Sequence, residues 1–176
     1  MEIEVISPRS GMSYFFTKAE ELQLMQIQGF IRNAWSNLYR GHFSESLIRE
    51  KLYPKIALDN LHMWVRADEI DLCVLTHAQA NTIDGVVCLV PSEIEGARKI
   101  QYFYLAEHIQ GEGVGSRIME IVVEVLCFQN SITLEVFSEN HKAFCFYQKH
   151  LFRDLYLREI EAEGKRLTWK GMIRQS

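Results

Sequence analysis

The segment that most constrains this chain is an apolar run with strand character, Lys99 to Leu105, followed by Gln110-Gly-Glu-Gly-Val-Gly115 and then by a helical pattern. Gly111, Gly113 and Gly115 let the backbone turn tightly with no Cβ in the way, so successive N–H groups can converge on an anion. The helix that follows adds its own unsatisfied N–H groups and the positive end of its dipole. Strand, glycine loop and helix in that order predict a phosphate cradle made by the amides of Gln110, Gly111, Glu112, Gly113, Val114, Gly115 and Ser116. Spacing alone also fits a strand-to-helix turn that holds nothing.

Two glycine loops do not fit. The dinucleotide fingerprint places its third glycine later and wants an acidic residue about twenty positions on. The nucleotide-hydrolase loop ends in Gly-Lys-Ser/Thr, whereas Gly115-Ser116-Arg117 has no lysine. Downstream, Asn140-His-Lys-Ala143-Phe-Cys-Phe146-Tyr147-Gln-Lys149-His-Leu-Phe152 forms a second element. Together the loop and this segment resemble the Gcn5-related N-acetyltransferase (GNAT) superfamily. Its acetyl-CoA loop reads Arg/Gln-x-x-Gly-x-Gly/Ala, and its later element reads Asn-x-x-Ala-x-x-Phe-Tyr-x-Lys-x-Gly-Phe. Leu151 replaces the turn glycine, Leu105-Ala-Glu-His-Ile109 lacks the frequent proline, and Glu112 puts a negative charge in the loop, where its side chain is expected to face solvent while its N–H faces the ligand. Arg117 is the nearest compensating cation.

With 176 residues and 48% hydrophobic composition but no long apolar run, one domain over residues 1–176 is expected. A formal charge of −4 with scattered basic residues predicts no nucleic-acid partner. Cys73, Cys88, Cys127 and Cys145 lie far apart, which predicts no metal site and no disulfide framework. The acidic start lacks a secretory layout and nothing reaches membrane-spanning length, so no membrane association and a cytoplasmic location are expected.

Periodicity predicts a strand over Glu2–Ile6 and a helix from Thr17 through Trp35, with Thr17 and Glu20 as a capping box. A second helix capped by Ser44 is interrupted near Pro54 and resumes to Trp64. Strands follow over Asp71–His77, Ile83–Val90 and Lys99–Leu105, then the loop's helix with Val114, Ile118, Ile121, Val122, Val125 and Leu126 on one face. A strand through Ile132–Val136, a short helix from Asn140 to Lys149, and two strands joined at Glu161-Ala-Glu-Gly164 complete the chain. The order matches that of the superfamily, so the fold class is α/β: a three-layer GNAT-like arrangement of six to seven strands in a mixed sheet, flanked by about four helices.

The resemblance implies an acyltransferase that moves the acetyl group of acetyl-CoA to a primary amine by direct attack in a ternary complex, with acetyl-CoA as cosubstrate. The acceptor is a small-molecule amine or a peptide, and the protein a monomer or homodimer. Phe103, Tyr104 and Leu105 would contact the pantetheine arm, the Leu105 N–H would polarise the acetyl carbonyl, and Asn140, Ala143 and Phe146 would flank the cofactor. Tyr147 would protonate the departing thiolate. The strand carries no carboxylate, so Glu107 and His108 just beyond it are the candidate bases. Trp35 and Tyr39, with Arg40, His42 and Phe43, are candidates for acceptor binding. Two other readings are a non-catalytic acyl-CoA-binding module and an acyltransferase using a longer acyl chain or a protein N-terminus.

Overall fold

Alternation of apolar side chains builds a sheet whose two faces each need a helical cover, and the chain supplies one on each side. The computed structural model describes residues 1–176. Its eight strands are β1 (Glu2–Ile6), β2 (Ser13–Lys18), β3 (Asp71–His77), β4 (Ile83–Pro91), β5 (Ala97–Leu105), β6 (Ser131–Phe137), β7 (Arg153–Ala162) and β8 (Lys165–Arg174). They lie in the order β1-β2-β3-β4-β5-β6-β8-β7, antiparallel throughout except for β5 beside β6. Five helices, α1 (Leu24–Leu38), α2 (Glu45–Lys51), α3 (Leu58–Arg66), α4 (Val114–Ile121) and α5 (His141–Lys149), cover them.

Odd-numbered residues of β4, Val87 and Leu89, pack with Val114, Ile118 and Met119 of α4 and Tyr147 of α5. Even-numbered Val86 and Cys88 pack on the other face with Leu24, Ile27, Ile31 and Trp35 of α1 and Leu61 of α3. The period of two along the strand thus assigns one face to each helical layer.

The sheet exceeds the expected count because Tyr14-Phe15-Phe16 is strand β2, with Tyr14 and Phe16 fully buried. Thr17 therefore lies in a strand and caps nothing. The capping box sits three residues later, between Glu20 and Gln23, and opens a short helical turn at Glu21–Gln23 ahead of α1. Ser44 does cap α2, accepting from the Leu47 N–H at 3.2 Å. The loop's helix also departs from a single stripe: the Cys127 N–H bonds back to the Val122 carbonyl, five residues earlier, so the last turn is π-helical. That extra residue per turn rotates Val125 outward, where it is about half exposed.

At the tip of the β7–β8 hairpin, Glu163 and Gly164 both have positive φ, 53° and 70°, as a two-residue type I′ turn requires. The Glu163 carboxylate accepts from the N–H and the hydroxyl of Ser44, which docks the hairpin tip on the start of α2.

Helix α5 ends in a Schellman motif: the Leu151 N–H bonds to Gln148 O at 3.0 Å and the Phe152 N–H to Tyr147 O at 3.1 Å. Leu151 occupies its left-handed position at φ 66° with its side chain largely exposed. A branched side chain there stores strain that glycine would not. We expect Leu151→Gly to raise the free energy of unfolding by about 0.5–1 kcal/mol after glycine's extra chain entropy is offset. Urea titration measures this, and an unchanged midpoint would remove the strain argument.

Candidate active site

The glycine loop divides its amides into two sets. The N–H groups of Gln110, Glu112, Ser116 and Arg117 bond to carbonyls of Glu107, Ile109 and Gly113. Those of Gly111, Gly113, Val114 and Gly115 have no partner within the protein. Three of these four unpaired donors are glycines, and two of them, Gly111 and Gly113, adopt φ of 82° and 86°. Left-handed residues alternating with right-handed ones turn neighbouring amides toward one point, an arrangement suited to an anion.

What holds the loop comes largely from the turn between β1 and β2. Ser7, fully buried, has its hydroxyl 3.3 Å from the Glu112 carbonyl and 3.1 Å from the Glu112 carboxylate. The Glu112 side chain is therefore turned to Ser7 and its N–H is taken by Ile109, in contrast to the expectation of a solvent-facing carboxylate and a free amide. Pro8 lies against Gly113, where an added Cβ would meet its Cγ at 2.9 Å. At Gly115 a Cβ would meet Leu105 at 3.2 Å and Phe146 at 3.5 Å, which brings loop, strand end and α5 together. Ser116 joins α5 as well, its hydroxyl 3.1 Å from His150 Nε2.

Strand β5 leads into this loop along an open edge. Its parallel pairing with β6 runs only from Ala97/Ser131 to Ile100/Leu134. Gln101 bulges, since Tyr102 pairs with Cys88 and Ile100 with Leu89. The bond from Ala106 N to Asp84 O sets the antiparallel alternation with β4. Phe103 and Leu105 therefore turn both N–H and C=O away from β4, toward the side where β6 has diverged. The Gln110 amide reaches back to the Leu105 carbonyl at 2.9 Å, leaving the Leu105 N–H free.

The expected residues fall on both sides of this edge. Tyr147 is buried, packs against Phe103 and Phe146, and its hydroxyl makes no hydrogen bond within the protein. Burial pushes its phenol well above the ordinary range. Asn140 caps α5 through the Ala143 N–H at 3.1 Å. On the opposite face, Tyr104 accepts a hydrogen bond from Trp35 Nε1 at 2.9 Å. Trp35, Tyr39, Tyr102, Tyr104 and Trp169 line a cavity of about 130 Å³ beside the divergence of β5 and β6. Phe43 stacks on Trp169 and so supports its wall, while His42 meets Phe137 edge to face. Arg40 is turned to Asn37.

The candidate bases separate. Exposed Glu107 faces α1, 3.4 Å from the Asn37 amide, while His108 faces the opposite way, 3.5 Å from buried Asp84. Sequence reasoning missed Glu135, Arg158 and Lys99, which meet at this cavity from β6, β7 and β5. The alternation of β6 puts Glu135 on the face opposite Leu134, a signal present in the sequence; its pairing with Arg158 across an intervening strand was not.

No three His, Cys, Asp or Glu side chains gather as a metal site, and no helix is long and apolar enough to cross a membrane. The four cysteines are unpaired.

A three-layer mixed sheet, an unzipped strand pair and a glycine loop with free amides are the arrangement of an acyltransferase class. The chain belongs to the acetyltransferase (GNAT) family, whose model matches residues 31–152. No curated protein matches it by sequence. In fold it is similar to the PaiA N-acetyltransferase of Thermoplasma acidophilum solved with coenzyme A, at 18% identity over 94% of this chain and 100% of that one, TM-score 0.70. A GNAT-family acetyltransferase of Staphylococcus aureus gives 13% identity, 92% and 98% coverage and TM-score 0.71. A ribosomal-protein-alanine N-acetyltransferase of Brucella melitensis gives 17%, 92%, 99% and 0.68.

The Gly113–Pro8 contact yields a prediction about the loop. Gly113→Ala combines positive φ with a clash, so it should destabilise the protein by about 1–2 kcal/mol and weaken coenzyme A binding. Adding Pro8→Ala should recover the steric part only. Thermal unfolding with and without coenzyme A reads both effects.

Proposed function

We propose that residues 1–176 form a single acyl-CoA transferase domain that acetylates a primary amine by direct attack on acetyl-CoA. The four unpaired amides of Gly111, Gly113, Val114 and Gly115 carry this reading: they would hold the pyrophosphate, with Gly115 leaving room beside Leu105 and Phe146. The free edge of Phe103 and Leu105 would pair with the amide groups of the pantetheine arm as an added strand would.

With the thioester beyond Leu105, its N–H donates to the acetyl oxygen, where negative charge grows as the amine attacks. The amine nitrogen forms a bond to the acetyl carbon, the carbon–sulfur bond breaks, and the sulfur leaves with that electron pair. Tyr147 gives its proton to the sulfur; burial keeps the phenol protonated for this step and an open hydroxyl leaves it free to donate. The amine's surplus proton passes to Glu107 through water, since Glu107 lies on the α1 side whereas His108 is turned to Asp84.

Titration calorimetry with acetyl-CoA tests the cradle: saturable binding is expected, and no binding of any coenzyme A species would make the loop an ordinary turn. Binding without turnover on any amine would instead leave an acyl-CoA-binding module. Tyr147→Phe should lower kcat by at least about tenfold with little change in acetyl-CoA affinity. Because the phenol is raised from an ordinary value of 10.0, wild-type kcat should show no fall attributable to its ionisation below pH 10. An unchanged kcat in the variant would remove Tyr147 from the reaction.

A further inference from the structure

We infer that the acceptor amine also carries an acid group, a carboxylate or a phosphate, which is held in the cavity between β5, β6 and the β7–β8 hairpin by Lys55 and the Tyr102 hydroxyl. This rests on the proposed amine acetylation and deepens it by naming the acceptor class.

The charges around the cavity do not balance. Its lining includes Lys55, Lys99 and Arg158 against one carboxylate, Glu135. Glu135 is already saturated. Oε1 accepts from Arg158 Nε at 2.6 Å and from the Tyr156 hydroxyl at 3.2 Å; Oε2 accepts from Arg158 Nη2 and from Lys99 Nζ, each at 3.3 Å. Burial alone would raise this carboxyl, but Arg158 and Lys99 outweigh it and hold it below the usual range. An ammonium group would have to displace two cations to reach Glu135, so a polyamine gains little here.

The unmet capacity in the cavity is donor capacity. Lys55 makes no ion pair. Tyr102, only 4% exposed, has a buried hydroxyl with no hydrogen-bond partner. A buried unpaired hydroxyl costs stability unless a ligand satisfies it. The hairpin's other acids do not line the cavity: Glu163 holds Ser44, Glu159 lies 3.6 Å from Arg166, and Asp154 and Glu161 are exposed. A cationic amino group, a tyrosine hydroxyl and a net surplus of two positive charges suit anionic oxygen. At about 130 Å³ the cavity admits a small group. Ligand pockets commonly run from about 300 Å³ upward, so it takes the acid end of the acceptor rather than a long chain.

The test compares matched acceptors: amino acids against their carboxamides, aminoalkyl phosphates against the corresponding alcohols, and diamines of similar length, with release of the coenzyme A thiol as readout. The acid-bearing member of each pair should show kcat/KM higher by about tenfold or more, chiefly through KM. Lys55→Gln should collapse that ratio toward one, and Tyr102→Phe should reduce it. The carboxylate and phosphate arms identify which acid is taken. Preference for carboxamides or diamines would overturn the inference while leaving acetyl transfer intact. If no amine turns over, titration of the same compounds against the fluorescence of Trp35 and Trp169 decides. Saturable binding of the acids that Lys55→Gln weakens supports the inference, and no binding defeats it. Acetyl-CoA calorimetry separately reports whether the proposed reaction itself has failed.

Discussion

The early end of the β5–β6 pairing governs the rest of this structure. Parallel strands ordinarily satisfy one another along their length, yet here the ladder stops at Ile100 and Leu134 while both strands continue. Beyond that point Phe103 and Leu105 turn backbone donors and acceptors into an open wedge. Unpaired backbone is costly where no water or ligand reaches it. The bulge at Gln101 directs the strand away, and the aromatic clusters on the two faces keep the wedge open: Phe103, Phe146 and Tyr147 on one, Trp35, Tyr102 and Tyr104 on the other.

That single break separates two chemistries. On the α4–α5 side, the glycine loop and Tyr147 surround the place proposed for phosphate and sulfur. On the α1–α3 side, a cavity with fixed charges is the place proposed for the acceptor. The strand between them belongs to both, since Tyr104 bonds to Trp35 with its side chain while Leu105 presents its backbone on the open edge. On the proposed reading, a donor and an acceptor meet across one thickness of sheet without either having to cross the core.

Much of this was legible in the chain because it depends on local pattern. The order of strand, glycine loop and helix, the short helix from Asn140 and the hairpin turn ending at Gly164 all follow from residues adjacent in sequence. The extra strand β2 was harder: Tyr14-Phe15-Phe16 is a continuous aromatic run, and the neighbouring helical period masked its strand character. Ser7 and Pro8 gave no local sign of their role, because they support Gly113 and Glu112 from more than a hundred residues away. The same holds for Glu135, whose neutralisation by Arg158 and Lys99 exists only once three separate strands are assembled.

Leu151 shows why a departure from a family pattern need not change function. The left-handed position at the end of α5 is set by the two Schellman bonds, and these place Phe152 against Tyr147 with ring centroids 5.6 Å apart. Glycine meets that conformation without strain, and leucine meets it at a cost of about 1–2 kcal/mol. The bonds and the Tyr147–Phe152 contact survive the exchange. The penalty is therefore one of stability, borne at an exposed corner, while the position of the phenol depends on Phe152. By the same logic Glu112 is tolerated in the loop: Ser7 draws its carboxylate aside, and the four amides that lack partners belong to other residues. Both departures leave the backbone path intact, and in this site it is the backbone path that presents the donors.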